Sequence, residues 1–226
     1  MAPLFLNKKC FICSSHKACF AGVCLSCLSN LQGVEESWSI EVIQGFSIWK
    51  LNHVSHQFLR CCKYMGYENG FQFQLQRELE RFHQKKLSDV KIIWIPIPLH
   101  WIRMKERGFN QAKIVANELQ RIYGGEVWDC LSRPKENISL TQMNLKRRKE
   151  ETKNRIFQFN PLGKSLISMN LASTRIFIVD DMVTTGATLL AAYQVVKNLD
   201  VLSIDFFTAI QGFQLLRSDF QKEMGV

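Results

Sequence analysis

A chain of 226 residues that is 46% apolar holds enough material for one substantial core plus a small appended module. Its formal charge of +9 favours polyanionic partners. The longest apolar stretch that contains proline, residues 92–99, falls far short of the roughly 20 residues a bilayer-spanning helix needs, so membrane association would be peripheral or through a partner.

In chain order, the first signal is Cys10-x2-Cys13 followed by Cys24-x2-Cys27, two knuckles whose spacing offers four thiolates to one tetrahedral ion, zinc by default. A segment this short cannot bury a core alone, so a structural ion would supply its fold. Cys19 and His16 lie between the knuckles, and the paired spacing argues against either as a ligand. Disulfides are disfavoured, because Cys61, Cys62 and Cys130 sit in apolar patterns and no signal peptide is visible, which points to reduced thiols in a cytoplasmic protein. Residues 1–34 are therefore expected as a zinc-binding module and 35–226 as the main domain.

Residues 38–49 read as a hairpin, and 54–65 and 71–85 as amphipathic helices. Strand 90–97, helix 110–122, strand 126–131, strand 175–179, helix 186–199 and strand 201–210 then alternate, which implies an α/β fold with a parallel sheet flanked by helices. The polar stretch 132–154 has no periodicity and carries Lys135, Lys146, Arg147, Arg148, Lys149 and Lys153, so it is expected as a mobile basic loop. Gly163-Lys164-Ser165 lacks the first glycine of a phosphate loop, where Gln158 stands, and is expected as a turn.

Chemistry concentrates in residues 176–188. Ile176 to Val179 form a buried strand, and Asp180 and Asp181 follow at its carboxyl end, where open α/β sheets bind ligands. Thr184, Thr185, Gly186, Ala187 and Thr188 then lead into an apolar helix, so hydroxyls and backbone N–H groups converge on a helix N-terminus suited to phosphate. Carboxylates repel phosphate; Asp180 and Asp181 should instead face hydrogen-bond donors such as a sugar diol or a metal-bound water. A ribose 5-phosphate satisfies both ends. Upstream, Pro96 and Pro98 stiffen a loop at Leu99 and His100, with Arg103, Lys105 and Arg107 just after it.

The segment IFIVDDMVTTGAT resembles the phosphoribosyl pyrophosphate (PRPP) motif of type I phosphoribosyltransferases, and IPIPLHWIRMKERGFNQA is similar to the second signature of the ComF family, whose members are competence-associated. The resemblance covers about residues 8 to 210. It implies a type I phosphoribosyltransferase-like sheet with a zinc-binding N-terminus, and PRPP bound with Mg²⁺. It also implies a pyrophosphate loop around Leu99 and His100, where Arg103 and Arg107 make charge-assisted contacts. Gln142, Leu145 and Asn154 resemble the family's catalytic loop, but Glu150 and Glu151 stand where a basic residue is usual. The basic balance, with Lys146, Arg147, Arg148 and Lys149 in succession, adds single-stranded DNA as a partner. The expected function is a PRPP-binding protein that handles incoming single-stranded DNA in natural transformation, with DNA-uptake or helicase proteins nearby. The alternatives are an active phosphoribosyltransferase and a PRPP-sensing regulator.

Overall fold

The computed structural model describes residues 9–15, 17–18, 22–31, 33, 36–64, 68–82, 90–133 and 156–212. Strands β1 (Glu36–Ile40), β2 (Ile43–Lys50), β3 (Lys91–Pro96) and β4 (Glu126–Val127) join β7 (Leu171–Val183) and β8 (Val201–Gln211) in one sheet, ordered β1-β2-β8-β7-β3-β4. All neighbours run parallel except the β1–β2 hairpin. The short strands β5 (Leu131–Ser132) and β6 (Gln158–Phe159) pair separately.

Strict period-two alternation explains the two cores. Ile92 and Trp94 of β3, with Phe177 and Val179 of β7, face one cluster; Ile93, Ile95, Ile176 and Ile178 face the other. The first face is covered by α2 (His53–Tyr64), α3 (Glu68–Phe82) and α5 (Gln111–Tyr123), and the second by α6 (Pro161–Leu166) and α7 (Ala187–Val196). Trp94 stacks on Phe177 at 4.8 Å between centroids, worth about 0.5–1.5 kcal/mol beyond the area it buries.

The hairpin, both amphipathic helices of the first half and the parallel strands stand where the sequence predicts them. Two expectations need correction, and one element was not anticipated. Residues 126–131 are two strands in different sheets: Trp128 N–H makes the last ladder bond to Trp94 O (2.9 Å), and Cys130 N–H turns back to Trp128 O (2.8 Å). Gly163-Lys164-Ser165 belongs to helix α6 rather than a turn, because Pro161 opens it and the Asn160 carboxamide oxygen caps it by accepting from Gly163 N–H at 2.9 Å. The stretch after His100 is helical too, forming α4 (Trp101–Arg107).

The cysteine segment rests on the first core. Helix α1 (Leu25–Asn30) follows the second knuckle, and Cys10, Val23, Cys24, Cys27, Leu28 and Leu31 are buried with Trp49, Phe58 and Leu59. Trp49 Nε1 donates to Leu31 O (2.7 Å), and Gly33 N–H donates to the fully buried Glu78 (3.0 Å), which also accepts from Arg77 and Arg81. No helix among the described residues is long and apolar enough to cross a membrane.

Candidate functional site

The carboxyl edge of the sheet gathers the chemistry. Strand β7 runs past the buried Ile176–Val179 run through Asp180 and Asp181 to Val183. Asp180 Oδ1 accepts from Asp181 N–H at 2.8 Å, while the Asp181 carboxylate pairs with Lys63 Nζ of α2 at 2.7 Å. Burial, reinforced by the neighbouring Asp181 charge, pushes the Asp180 carboxyl up to about 8, against the lowering pull of Asp181 N–H, Lys63 and Arg133. A carboxyl shifted that far at the ligand-binding edge of a sheet is a candidate functional group.

Thr184 and Thr185 follow, both exposed, and Gly186 caps α7 with φ of 76°. A Cβ at Gly186 would meet Ile40 Cδ1 at 2.3 Å, so glycine answers both a left-handed backbone and the close approach of the hairpin tip. Ala187 and Thr188 are exposed in the first turn of α7, and Thr185 Oγ1 accepts from Ala187 N–H at 3.4 Å. Hydroxyls and N–H groups therefore surround the start of a ten-residue helix.

The second expected segment lies beside the first because β3 pairs with β7, and Ile97 N–H extends the ladder to Val179 O at 2.8 Å. Leu99 and His100 are half-buried between that strand end and α4. Asn110 locks the return: its Nδ2 donates to Ile97 O (2.9 Å) while its Oδ1 caps α5 through Ala112 N–H (3.1 Å). The two arginines part company. Arg103 is exposed and held by Glu106 at 2.8 Å. Arg107 lies over the Tyr64 ring at 5.4 Å, with one terminal nitrogen 3.4 Å from Gln111 Oε1.

Sequence reading missed Lys63, Tyr64 and Ile40. All three belong to elements distant along the chain from the motifs, and the only available signal was Arg60 and Lys63 on one face of an otherwise amphipathic helix. The basic residues Lys146, Arg147, Arg148 and Lys149 lie outside the described residues, as do Gln142, Leu145, Asn154, His16 and Cys19.

At the other end, Cys10, Cys13, Cys24 and Cys27 place their sulfurs within 4.8 Å of one another. A tetrahedral ion with Zn–S near 2.3 Å needs sulfurs about 3.8 Å apart. Cys13 and Cys24 meet that at 3.8 Å, and Cys24 N–H donates to Cys10 Sγ at 3.3 Å, a contact that suits a metal-bound thiolate. All four are free thiols, so the set fits a closed structural metal centre such as zinc.

Comparison with known proteins agrees with this arrangement. The model of the phosphoribosyl transferase domain matches residues 104–218. The chain is 27% identical over 205 residues to competence protein F of Haemophilus influenzae, covering 86% of this chain and 81% of that protein. It is also 27% identical over 209 residues to competence protein ComFC of Bacillus subtilis, covering 89% of this chain and 77% of that one. The matched span holds the acid pair and the threonine-glycine turn and makes up half of the sequence, and the chain belongs to the phosphoribosyltransferase domain family as a ComF-type member.

Proposed function

We propose that this competence-related phosphoribosyltransferase-like protein binds PRPP at the carboxyl edge of its sheet and handles single-stranded DNA during natural transformation. The observation that carries the first half is the convergence of two phosphate-suited segments on adjacent strands, with an acid pair between them. The 5-phosphate sits on Thr184, Thr185, Gly186, Ala187 and Thr188. Asp180 and Asp181 accept from the ribose hydroxyls, and Leu99, His100, Arg103 and Arg107 face the diphosphate. For Asp181 this means sharing its oxygens with Lys63. For Arg103 it means exchanging an exposed Glu106 contact, which is worth only about 0–1 kcal/mol, for a charge-assisted bond to phosphate.

Mg²⁺ enters on the diphosphate, and when bound it neutralises the leaving group's charge. Hard oxygen donors at this edge suit such an ion, and no side chain is assigned to it. The zinc centre at Cys10, Cys13, Cys24 and Cys27 is structural, since its sulfurs are mostly buried and packed on the core.

An active phosphoribosyltransferase is the second reading, favoured by a cleft lined in part by Lys63, the ion-pair partner of Asp181, which leaves room for an acceptor. In that reaction the acceptor forms a bond to the anomeric carbon and loses a proton. The bond to pyrophosphate breaks with its electron pair leaving on the pyrophosphate. Calorimetry of PRPP binding with Mg²⁺ tests the shared premise: a saturable heat supports it, and no heat overturns both readings. Mass spectrometry after incubation with PRPP then separates them, because only the transferase releases pyrophosphate.

A further inference from the structure

Lys63 does not behave as an ordinary surface lysine. Its side chain is 16% exposed, and its Nζ sits 2.7 Å from Asp181 Oδ2, on a side chain that is 12% exposed. Among the described residues the other lysine–carboxylate pairs, Lys91 with Glu126 and Lys113 with Asp129, keep between 45% and 52% of their exposure, where such contacts contribute little. An ammonium taken this far out of water loses hydration, and the carboxylate beside it has to answer for that loss.

Helix α2 fixes the position of this side chain. At its start Asn52 and Ser55 bond reciprocally: Asn52 Oδ1 accepts from Ser55 N–H (2.8 Å), and Ser55 Oγ accepts from Asn52 N–H (2.9 Å). Ser55 Oγ also donates to Lys50 O of β2 (2.9 Å). Phe58, Leu59 and Cys62 are buried in the first core. Cys61 stands two residues before Lys63, on nearly the opposite flank of the helix, and its Sγ donates to Phe11 O (3.3 Å), between the knuckle cysteines Cys10 and Cys13. A helix held at its start, its floor and its far flank leaves little slack in the side chain that reaches the acid pair.

The acid pair shows what that reach accomplishes. Two adjacent carboxyls at one strand end repel each other, and burial disfavours the charged form of each. Asp180, whose close partner is the Asp181 N–H, is pushed up to about 8, whereas Asp181 has an ammonium on one oxygen. That contact fixes Oδ2 and turns the other oxygen into the acceptor. We infer that Lys63 is a positioning residue for sugar recognition, holding Asp181 charged and oriented so that its second oxygen accepts from a ribose hydroxyl. The inference rests on the PRPP reading above and adds to it a residue from outside both phosphate-suited segments. Lys63 acts through Asp181 and makes no contact of its own with either phosphate group.

Calorimetry of the full chain with Mg²⁺ and either PRPP or pyrophosphate tests this, because pyrophosphate has no hydroxyl for Asp181. Lys63→Met should weaken PRPP about tenfold, the loss of one well-placed charge-assisted bond, and change pyrophosphate by less than about twofold. Lys63→Arg keeps a cation beside Asp181 and should recover most of the loss. In an Asp181→Asn background Lys63→Met should weaken PRPP no further, since nothing is left to position. Zinc content and melting curves report whether each variant folds, and Lys63→Gln takes the place of Lys63→Met in every arm if the latter does not. A PRPP affinity that Lys63→Met leaves unchanged overturns the inference. Equal weakening of PRPP and pyrophosphate also overturns it and makes Lys63 a phosphate ligand, and an additive loss in the double variant overturns it by separating Lys63 from Asp181. Absence of a PRPP heat in the unaltered protein refutes the PRPP reading and this inference with it, whereas a heat that the Lys63 variants leave intact refutes the role of Lys63 alone.

Discussion

Asp180 and Asp181 are neighbours in sequence but keep different electrostatic company. Among the described residues Asp180 has a backbone N–H for its close partner and is pushed up to about 8, whereas Asp181 is neutralised by Lys63. A carboxyl whose folded value lies above its unfolded one binds more protons in the native state across the interval between them, so it removes stability as pH rises from about 4 to about 8. Asp180→Asn should therefore leave the melting temperature unchanged near pH 4 and raise it at pH 8, a divergence that thermal melts across this range would measure. Equal shifts at both ends would refute the assignment. Asp181→Asn should do the opposite at neutral pH, since it strands Lys63 beside Arg60 and Arg107 in one cleft. Asp181→Asn should weaken PRPP at least about tenfold by calorimetry, because a hydrogen bond to a charged acceptor is worth roughly 1.5–3 kcal/mol, and Asp180→Asn should do the same above about pH 8, where its carboxyl is ionised. The acid pair itself was readable from the order strand, carboxylates, threonine-glycine turn and helix. Its unequal environment was not, because Lys63 arrives from a helix whose polar face looks like an ordinary solvated one.

At the level of elements, the antiparallel hairpin supports the phosphate-suited turn. Ile40, the last residue of β1, lies where a side chain on Gly186 would stand, so β1 and α7 fix that turn from both sides. Gly186→Ala should cost about 1–2 kcal/mol from the left-handed backbone alone. The added Ile40→Ala change should relieve the contact with Cδ1 and leave that backbone cost in place. Chemical denaturation of both variants measures this, and full rescue by Ile40→Ala would show that the contact rather than φ governs the site. Helix α4 escaped sequence reading because none of its residues is buried, so it has no apolar stripe to announce it. The knuckles were readable from spacing alone. What spacing does not reveal is that the segment leans on β2, α2 and α3 through Trp49, Phe58 and Glu78. Cys24→Ser should accordingly release about one zinc per chain and lower the melting temperature of the whole protein, by metal analysis and calorimetry. A protein purified reduced and free of chelator that carries no metal would refute the zinc centre.

Across the whole molecule, the parallel sheet was the most readable feature, because strands buried on both faces become short unbroken apolar runs such as Ile92–Ile97 and Ile176–Val179. The two-residue strands β4, β5 and β6 were beyond such reading, since a pair of residues has no period. Charge is the other whole-molecule property, and it bears on nucleic acid. An excess of nine positive charges is distributed over the chain, and the densest run, Lys146, Arg147, Arg148 and Lys149, falls in sequence between β5 and β6, outside the described residues. Binding of single-stranded DNA through those cations should be nearly independent of sequence, with the logarithm of affinity falling against the logarithm of salt at about −0.7 per phosphate neutralised. Changing all four to Gln should flatten that slope and weaken every oligonucleotide about equally, while PRPP binding at the sheet edge persists. If the same variant spares DNA and alters the PRPP heat, the run serves the phosphoribosyl site instead. Fluorescence anisotropy at several salt concentrations, run beside PRPP calorimetry on one preparation, decides between the two.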